Sequence, residues 1–215
     1  DCDHKGRLLQ RTLLGYMSHA IEAFDVDGDD IYELVVAGNS TMRDLFFGLN
    51  VESIGQKPYH SLTQIEMDAG KRDSTVVTTT GKKLRLPVNG AARIYGMPLI
   101  SGHVGADAAA CLLAIGLATE EKNVCLMDIG TNTELVLGNK NKIMAASCPA
   151  GPAFEGGAIE CGMPGLEGAI ERVTLDGTNI DTSIIGDTEA AGICGSGLID
   201  LMSEFVKLDL VDEYG

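Results

Sequence analysis

The stretch NVCLMDIGTNTELVLGNKNKIMAAS, residues 123 to 147, constrains the fold more than any other part of the chain. VCLMDIG, TELVLG and KIMAAS are apolar runs of strand length separated only by tight polar turns, so they predict an antiparallel meander. In DIGTNTE the first strand ends on Asp128, whose carboxylate emerges where the loop begins, and Gly130 lets the backbone come close to whatever sits there. The amides of Gly130, Thr131, Asn132 and Thr133 can converge on one anion. Such a nest suits phosphate: Thr131 and Thr133 add hydroxyl donors, and Asp128 can hold a hydrated magnesium ion against it. A plain hairpin turn, with Asn and Gly satisfying turn geometry, accounts for the same residues, and the segment alone does not separate the two.

Around the meander the pattern alternates helix and strand. Leu8, Leu9, Leu13, Met17, Ile21 and Phe24 recur at helical spacing and predict an amphipathic helix over residues 6 to 24. DVDGDD ends it; Gly28 falls too early and Val36 stands where a calcium loop needs its glutamate, so a solvated turn is expected there. IYELVVAGNSTMRDLFFGL predicts a strand over Ile31 to Ala37, a turn at Gly38 and Asn39, and a helix to Gly48 capped by Ser40 or Thr41. Residues 50 to 82 look irregular apart from a short strand at VVTTT, and KLRLPVNG predicts another strand closed by Pro87 and Gly90. A helix from Ala106 to Ala118 follows, capped by Asp107 or a neighbour. AFEGGAIECGMPGLEGAIERV predicts two glycine-broken helical segments, TLDGTNIDTSIIGD strand and turn, and GICGSGLIDLMSEFVKLDL a final helix over residues 197 to 207.

Two further glycine loops invite a ligand. In GICGSGLID the missing side chains at Gly192, Gly195 and Gly197 leave a flat backbone that can stack a purine, with Ser196 as helix cap, although so short a glycine run taken alone favours a helix start packed tightly on a neighbour. SCPAGPAFEGG mixes Pro149 and Pro152 with Gly151, Gly156 and Gly157, as a loop against a ligand or hinge does. Cys148 there has no histidine nearby in sequence and reads as a structural thiol, while His60 and His103 read as loop or core residues.

Composition narrows the partners. At 215 residues and 45% hydrophobic content the chain can form one large domain or two small ones. A formal charge of -15 without basic clusters argues against nucleic acid or an anionic membrane, because neutralising phosphates needs clustered Lys and Arg. The longest apolar stretch, Ala108 to Ala118, is too short to span a bilayer and predicts a buried helix. Cys2, Cys111, Cys125, Cys148, Cys161 and Cys194 form no CxxC pair, which leaves no zinc or local iron-sulfur motif; several sit in apolar runs, as reduced core cysteines of a cytoplasmic protein do.

Taken in order, VVAGNSTMRDLFFGLNVESIGQKPY, SGHVGADAAACLLAIGL, DIGTNTELVLGNKNKI, SCPAGPAFEGGAIECGM and GICGSGLIDLMSE resemble the actin-like ATPase domain of reductive activators of corrinoid proteins. The resemblance spans nearly the whole chain and is most specific from Cys148 to Met163. It implies the α/β fold of the actin, heat-shock 70 and sugar kinase superfamily, whose two ribonuclease-H-like lobes close over ATP. Residues 1–120 would be part of the first lobe, left incomplete, and residues 121–215 the start of the second. By that pattern Asp128 is the catalytic residue and carries Mg2+ through water, Gly130, Thr131, Asn132 and Thr133 hold phosphate, and Gly195, Ser196 and Gly197 face the adenosine. The implied activity couples ATP to reduction of cob(II)alamin to cob(I)alamin on a corrinoid protein or corrinoid-dependent methyltransferase, with a homodimer left open.

Some of the family's pattern is missing. The first phosphate loop and the domain holding the iron-sulfur cluster do not appear, and the opening DCDHKGRLLQ has no initiator methionine, so the chain reads as an interior fragment. Residues 1 to 215 are therefore expected to hydrolyse ATP poorly alone, one side of the phosphate clamp being absent; robust magnesium-dependent phosphate release would refute this. A small-molecule kinase of the same superfamily would need a catalytic base that no carboxylate here is singled out to be. An activator of 2-hydroxyacyl-CoA dehydratases, with Cys148 and Cys161 as cluster ligands, would be coloured by iron. A docking module would release no heat with magnesium-ATP.

Overall fold

The structure, a computed structural model, describes residues 2–153, 156–177 and 179–212. Helix α1, Cys2–Glu22, turns Leu13, Leu14, Met17 and Ile21 onto a core with Phe46, Leu86, Val88, Ala92 and Ile94. Burying a side chain such as Phe46 or Ile94 contributes about 1.5–3 kcal/mol. The acidic turn after α1 is a short 3₁₀ segment, Gly28–Asp30, where Asp27 accepts from the Asp29 amide.

Strand β1 is shorter than expected, Glu33–Val36, and helix α2 is Ser40–Phe46. Asn39 caps α2, not Ser40 or Thr41: its Oδ1 accepts from the Met42 amide at 2.9 Å, while the Ser40 hydroxyl donates to the Ser101 carbonyl. Asn39→Ala is expected to lower stability by about 1 kcal/mol in urea unfolding, and an unchanged midpoint would deny the cap its role.

The stretch from 50 to 96 departs most from expectation. It contains an additional helix, α3, Leu62–Asp68, whose N-cap Ser61 accepts from Gln64. Strand β2, Val77–Thr80, runs into a single helical turn α4, Gly81–Leu84, where a strand was predicted from KLRLPVNG. Leu86 and Val88 alternate because both are buried, yet the backbone folds back: Arg85 sits at φ 57°, the Leu86 amide returns to the Gly81 carbonyl, and the Lys82 amide donates to Gly90. The missed strand is β3, Arg93–Gly96. It is central, parallel to β1 with Val35 opposite Tyr95 and antiparallel to β2 with Thr78 opposite Tyr95. Its ends conceal it, since Arg93 pairs with Glu33 at 3.3 Å and Gly96 exists to admit the Phe47 ring.

Helix α5 is Ala106–Ala114, ending sooner than predicted, with Gly116 at φ 66° before a 3₁₀ turn. Gly105 stands at its N-cap, and the Gly38 carbonyl takes the amides of Ala106 and Asp107. The helix is not buried all round: Ala106 and Ala108 form its buried face, and Leu113 is 74% exposed. No helix among the described residues is long and apolar enough to cross a membrane.

Three strands then form the meander, β4 Val124–Ile129, β5 Asn132–Asn139 and β6 Lys142–Pro149, in the sheet order β4-β5-β6. After it no helical pair forms among the described residues. Gly156, Ala158 and Gly168 have positive φ, Gly162 and Gly156 lie backbone to backbone, and AIERV is strand; Phe154 and Glu155 of the predicted helices lie outside the described residues. Strands β7, Ala169–Asp176, β8, Asn179–Ile184, and β9, Gly192–Ile193, form a sheet ordered β8-β7-β9, followed by helix α6, Gly195–Lys207. The chain divides into two compact units, Asp1–Leu126 with Glu134–Ser147 and Met127–Thr133 with Cys148–Gly215.

Candidate functional site

Within the second unit, Asp128 is the penultimate residue of β4 and Gly130 and Thr131 alone link it to β5. Asp128 is half-buried, on the strand face opposite the exposed Met127 and Ile129. Among the described residues no hydrogen bond or ion pair reaches its carboxylate. The loop tip is held from one side: the Thr131 carbonyl accepts both the Ala150 and Gly151 amides at 2.9 Å. DIGTNTE and SCPAGP, far apart in meaning when read separately, thus form one loop pair.

The predicted four-residue nest is only partly a loop. Asn132 and Thr133 belong to β5, where successive amides point to opposite edges, so Gly130 and Thr131 form the tip and Asn132 and Thr133 flank it. Thr131 and Asn132 are exposed, but the Thr133 side chain is buried, and its carbonyl takes the Cys148 thiol at 3.6 Å.

The second glycine loop closes differently from expectation. α6 begins two residues early, so Cys194 is its N-cap and Ser196, predicted to cap, lies exposed within its first turn. The Cys194 amide and thiol both donate to the Ile170 carbonyl, at 3.1 and 3.3 Å. Burial pushes the Cys194 thiol up, yet the Ser196 hydroxyl and the amides of Gly197 and Ser196 outweigh it and leave the thiol below its ordinary value. Gly197 is buried with its Cα against the Ile170 carbonyl, and a Cβ there would collide with that oxygen. Gly197→Val is therefore expected to lift α6 off β7 and cost about 1–3 kcal/mol, with a lower melting temperature as the readout; an unshifted melt would show the contact to be soft. Gly195 is half-buried and leaves the same first turn bare.

The RACo middle region matches residues 5–120, and the C-terminal domain of RACo, the ASKHA domain, matches residues 122–215. The chain belongs to the RACo family. RACo relatives include the corrinoid activation enzyme RamQ of Eubacterium limosum, 36% identical over 207 residues, which covers 96% of this chain and 33% of RamQ. A reductase of the methylated amine-specific corrinoid protein from Methanosarcina barkeri is 27% identical over 216 residues, covering 89% of this chain and 39% of that protein. Among solved structures, a reductive activator for a corrinoid, iron-sulfur protein superposes with a TM-score of 0.81 at 32% identity, over 96% of this chain and 32% of that one. The chain thus spans about a third of the length of these RACo relatives, and its fold is the mixed α/β ASKHA fold, a nucleotide-binding one.

Two features of this RACo chain escaped the sequence. Arg43 and Asp44, charged neighbours inside MRDLFF, are both buried: Arg43 donates to the carbonyls of Thr75 and Met97, to the Thr63 hydroxyl and to Asp44 Oδ1. An Arg-Asp pair in an apolar helix was the available signal. Asp200 and Glu204, an i, i+4 acidic pair on α6 that reads as a solvated face, instead turn toward β7. The cysteines also differ from core thiols: Cys194 is buried, but Cys125, Cys148 and Cys161 are exposed.

Proposed function

We propose that this chain is the ATP-binding portion of a cytoplasmic reductive activator that couples ATP hydrolysis to reduction of cob(II)alamin to cob(I)alamin on a corrinoid protein of a methyltransferase system. The observation that carries the reading is the Asp128 to Thr131 loop, a half-buried carboxylate without a partner among the described residues beside a loop tip held by Ala150 and Gly151, inside the ASKHA match. The names of the relatives supply the corrinoid substrate.

In this reading Gly130 and Thr131, flanked by Asn132 and Thr133, receive the phosphates, and the first turn of α6 at Gly195, Ser196 and Gly197 lies along the adenosine. A hard-cation site fits Asp128, since its oxygens keep their acceptor capacity and a carboxylate with water ligands is what magnesium prefers. Bound there, magnesium would neutralise developing charge on the phosphates. The protein's own contribution is positioning: the double hydrogen bond to the Thr131 carbonyl keeps the loop tip in one place. The electron would come from an iron-sulfur cluster outside residues 1–215, and residues 1–120 and 121–215 would belong to the first and second ribonuclease-H-like lobes.

The test is reduction of a cob(II)alamin-loaded corrinoid protein by the full-length polypeptide with a chemical reductant, followed by cobalt absorbance. Reduction that requires magnesium-ATP is expected. Equal reduction without nucleotide would sink the proposal.

A further inference from the structure

Strand β7 has two unlike edges. On one it pairs with β8 from Ile170 to Asp176. On the other, β9 reaches only Ala169 and Ile170. Past that point the amides of Val173 and Leu175, two residues apart and so pointing the same way, meet side chains of α6: Val173 donates to Asp200 Oδ2 at 3.4 Å and Leu175 to Glu204 Oε2 at 3.0 Å.

The spacing is matched. Two residues of strand advance about 6.6 Å and four residues of helix about 6 Å, so an i, i+4 carboxylate pair meets alternate amides of a strand lying alongside it. At the start of the same edge the Ile170 carbonyl receives the Cys194 amide and abuts Gly197. This arrangement overrides the helix's own polarity. Glu204 is 8% exposed, whereas Ile199 and Val206 are 50% and 57% exposed, so apolar burial alone would have rotated α6 the other way. Lys207 Nζ holds the other Glu204 oxygen at 2.6 Å.

We infer that Glu204, seconded by Asp200, is the positioning residue of the Gly195–Gly197 segment: its carboxylate stands in for a neighbouring strand on β7 and sets where along β7 the helix begins. The inference rests on the reading that this segment lies along the adenosine. The Lys207 hydrogen bond first, and then the Leu175 amide, hold the Glu204 carboxyl below the usual carboxylate range, so the ionised acceptor is the form that grips the strand.

The experiment combines two measurements on the full-length protein: hydrogen exchange of the Leu175 amide, and magnesium-ATP affinity by calorimetry well below the melting temperature. Glu204→Ala is expected to speed Leu175 exchange and weaken nucleotide binding roughly tenfold. Glu204→Gln keeps a carbonyl acceptor and is expected to restore most of both. Glu204→Asp, which keeps the charge but shortens the arm, serves where the alanine variant does not fold and is expected to loosen the amide and the nucleotide together. Fast Leu175 exchange with wild-type affinity in either the alanine or the aspartate variant would overturn the inference, because a purely structural role changes stability without touching affinity. A wild-type protein that binds no magnesium-ATP would instead overturn the functional reading beneath it.

Discussion

Asp128→Ala is expected to cut magnesium-ATP-dependent reduction of the corrinoid protein by about a hundred- to a thousandfold, the range seen when one preorganised charge-stabilising group is removed from an active site. The reason is local. Asp128 is the last residue but one of a strand that runs into a two-residue turn, and its carboxylate takes no hydrogen bond or ion pair among the described residues, so no structural interaction is lost with it. The melting temperature should therefore stay near that of the wild type while the nucleotide-dependent rate collapses. If Asp128→Ala reduces cobalt at the wild-type rate, the magnesium role passes to another residue.

Arg43→Met is the second large effect, and it is one of stability. Removing one partner of a buried ion pair costs about 3–5 kcal/mol, and a chain of this size should lose roughly 6–20 °C of melting temperature. Methionine keeps the stem but abandons the carbonyls of Thr75 and Met97 and leaves Asp44 wholly buried without its counter-charge. Asp44 also gives the experiment its signature. Burial holds its pKa above the ordinary value, against the opposing pull of the Arg43 charge and hydrogen bonds and of Ser61 and Arg72, and its Oδ2 has no hydrogen-bond partner among the described residues. A carboxyl whose pKa is higher in the folded state binds its proton more tightly there, so its contribution to stability is present at low pH and lost as pH rises through the folded value. Deleting Arg43 removes the chief opposing influence and raises that folded value further. The melting-temperature gap between variant and wild type should be widest at neutral pH and narrow on mild acidification; a gap that ignores pH would show that Asp44 is not its source.

The meander was legible because each of its strands carries its own evidence: Val124 to Ile129, Asn132 to Asn139 and Lys142 to Pro149 are apolar runs divided by turns too short for anything but hairpins. Helix α1 was legible for the same reason, its period being local. β3 was not. RIYG is a strand only because β1 and β2 lie on either side of it; its partners in β1 stand 60 positions back, Glu33 opposite Arg93, and those in β2 13 to 19 positions back, so that no short window on the chain contains the pattern. KLRLPVNG misled for the complementary reason, since its alternating Leu86 and Val88 are buried by a backbone that turns at Arg85.

The site divides along the same line. Asp128, Gly130 and Thr131 sit where a strand must end and a loop begin, which the run of apolar residues before Asp128 determines by itself. That the loop tip is tied to Ala150 and Gly151, that Thr133 turns inward, and that Ser196 yields the N-cap to Cys194 are decisions of tertiary structure. So is the orientation of α6. Its sequence presents Asp200 and Glu204 as a face for solvent, and the unpaired amides of Val173 and Leu175 turn that face inward, because a buried N–H left without an acceptor costs more than exposing Ile199 and Val206. Apolar period is a property of neighbours in sequence and can be read from them; hydrogen-bond satisfaction belongs to neighbours in space, and only the folded chain supplies those.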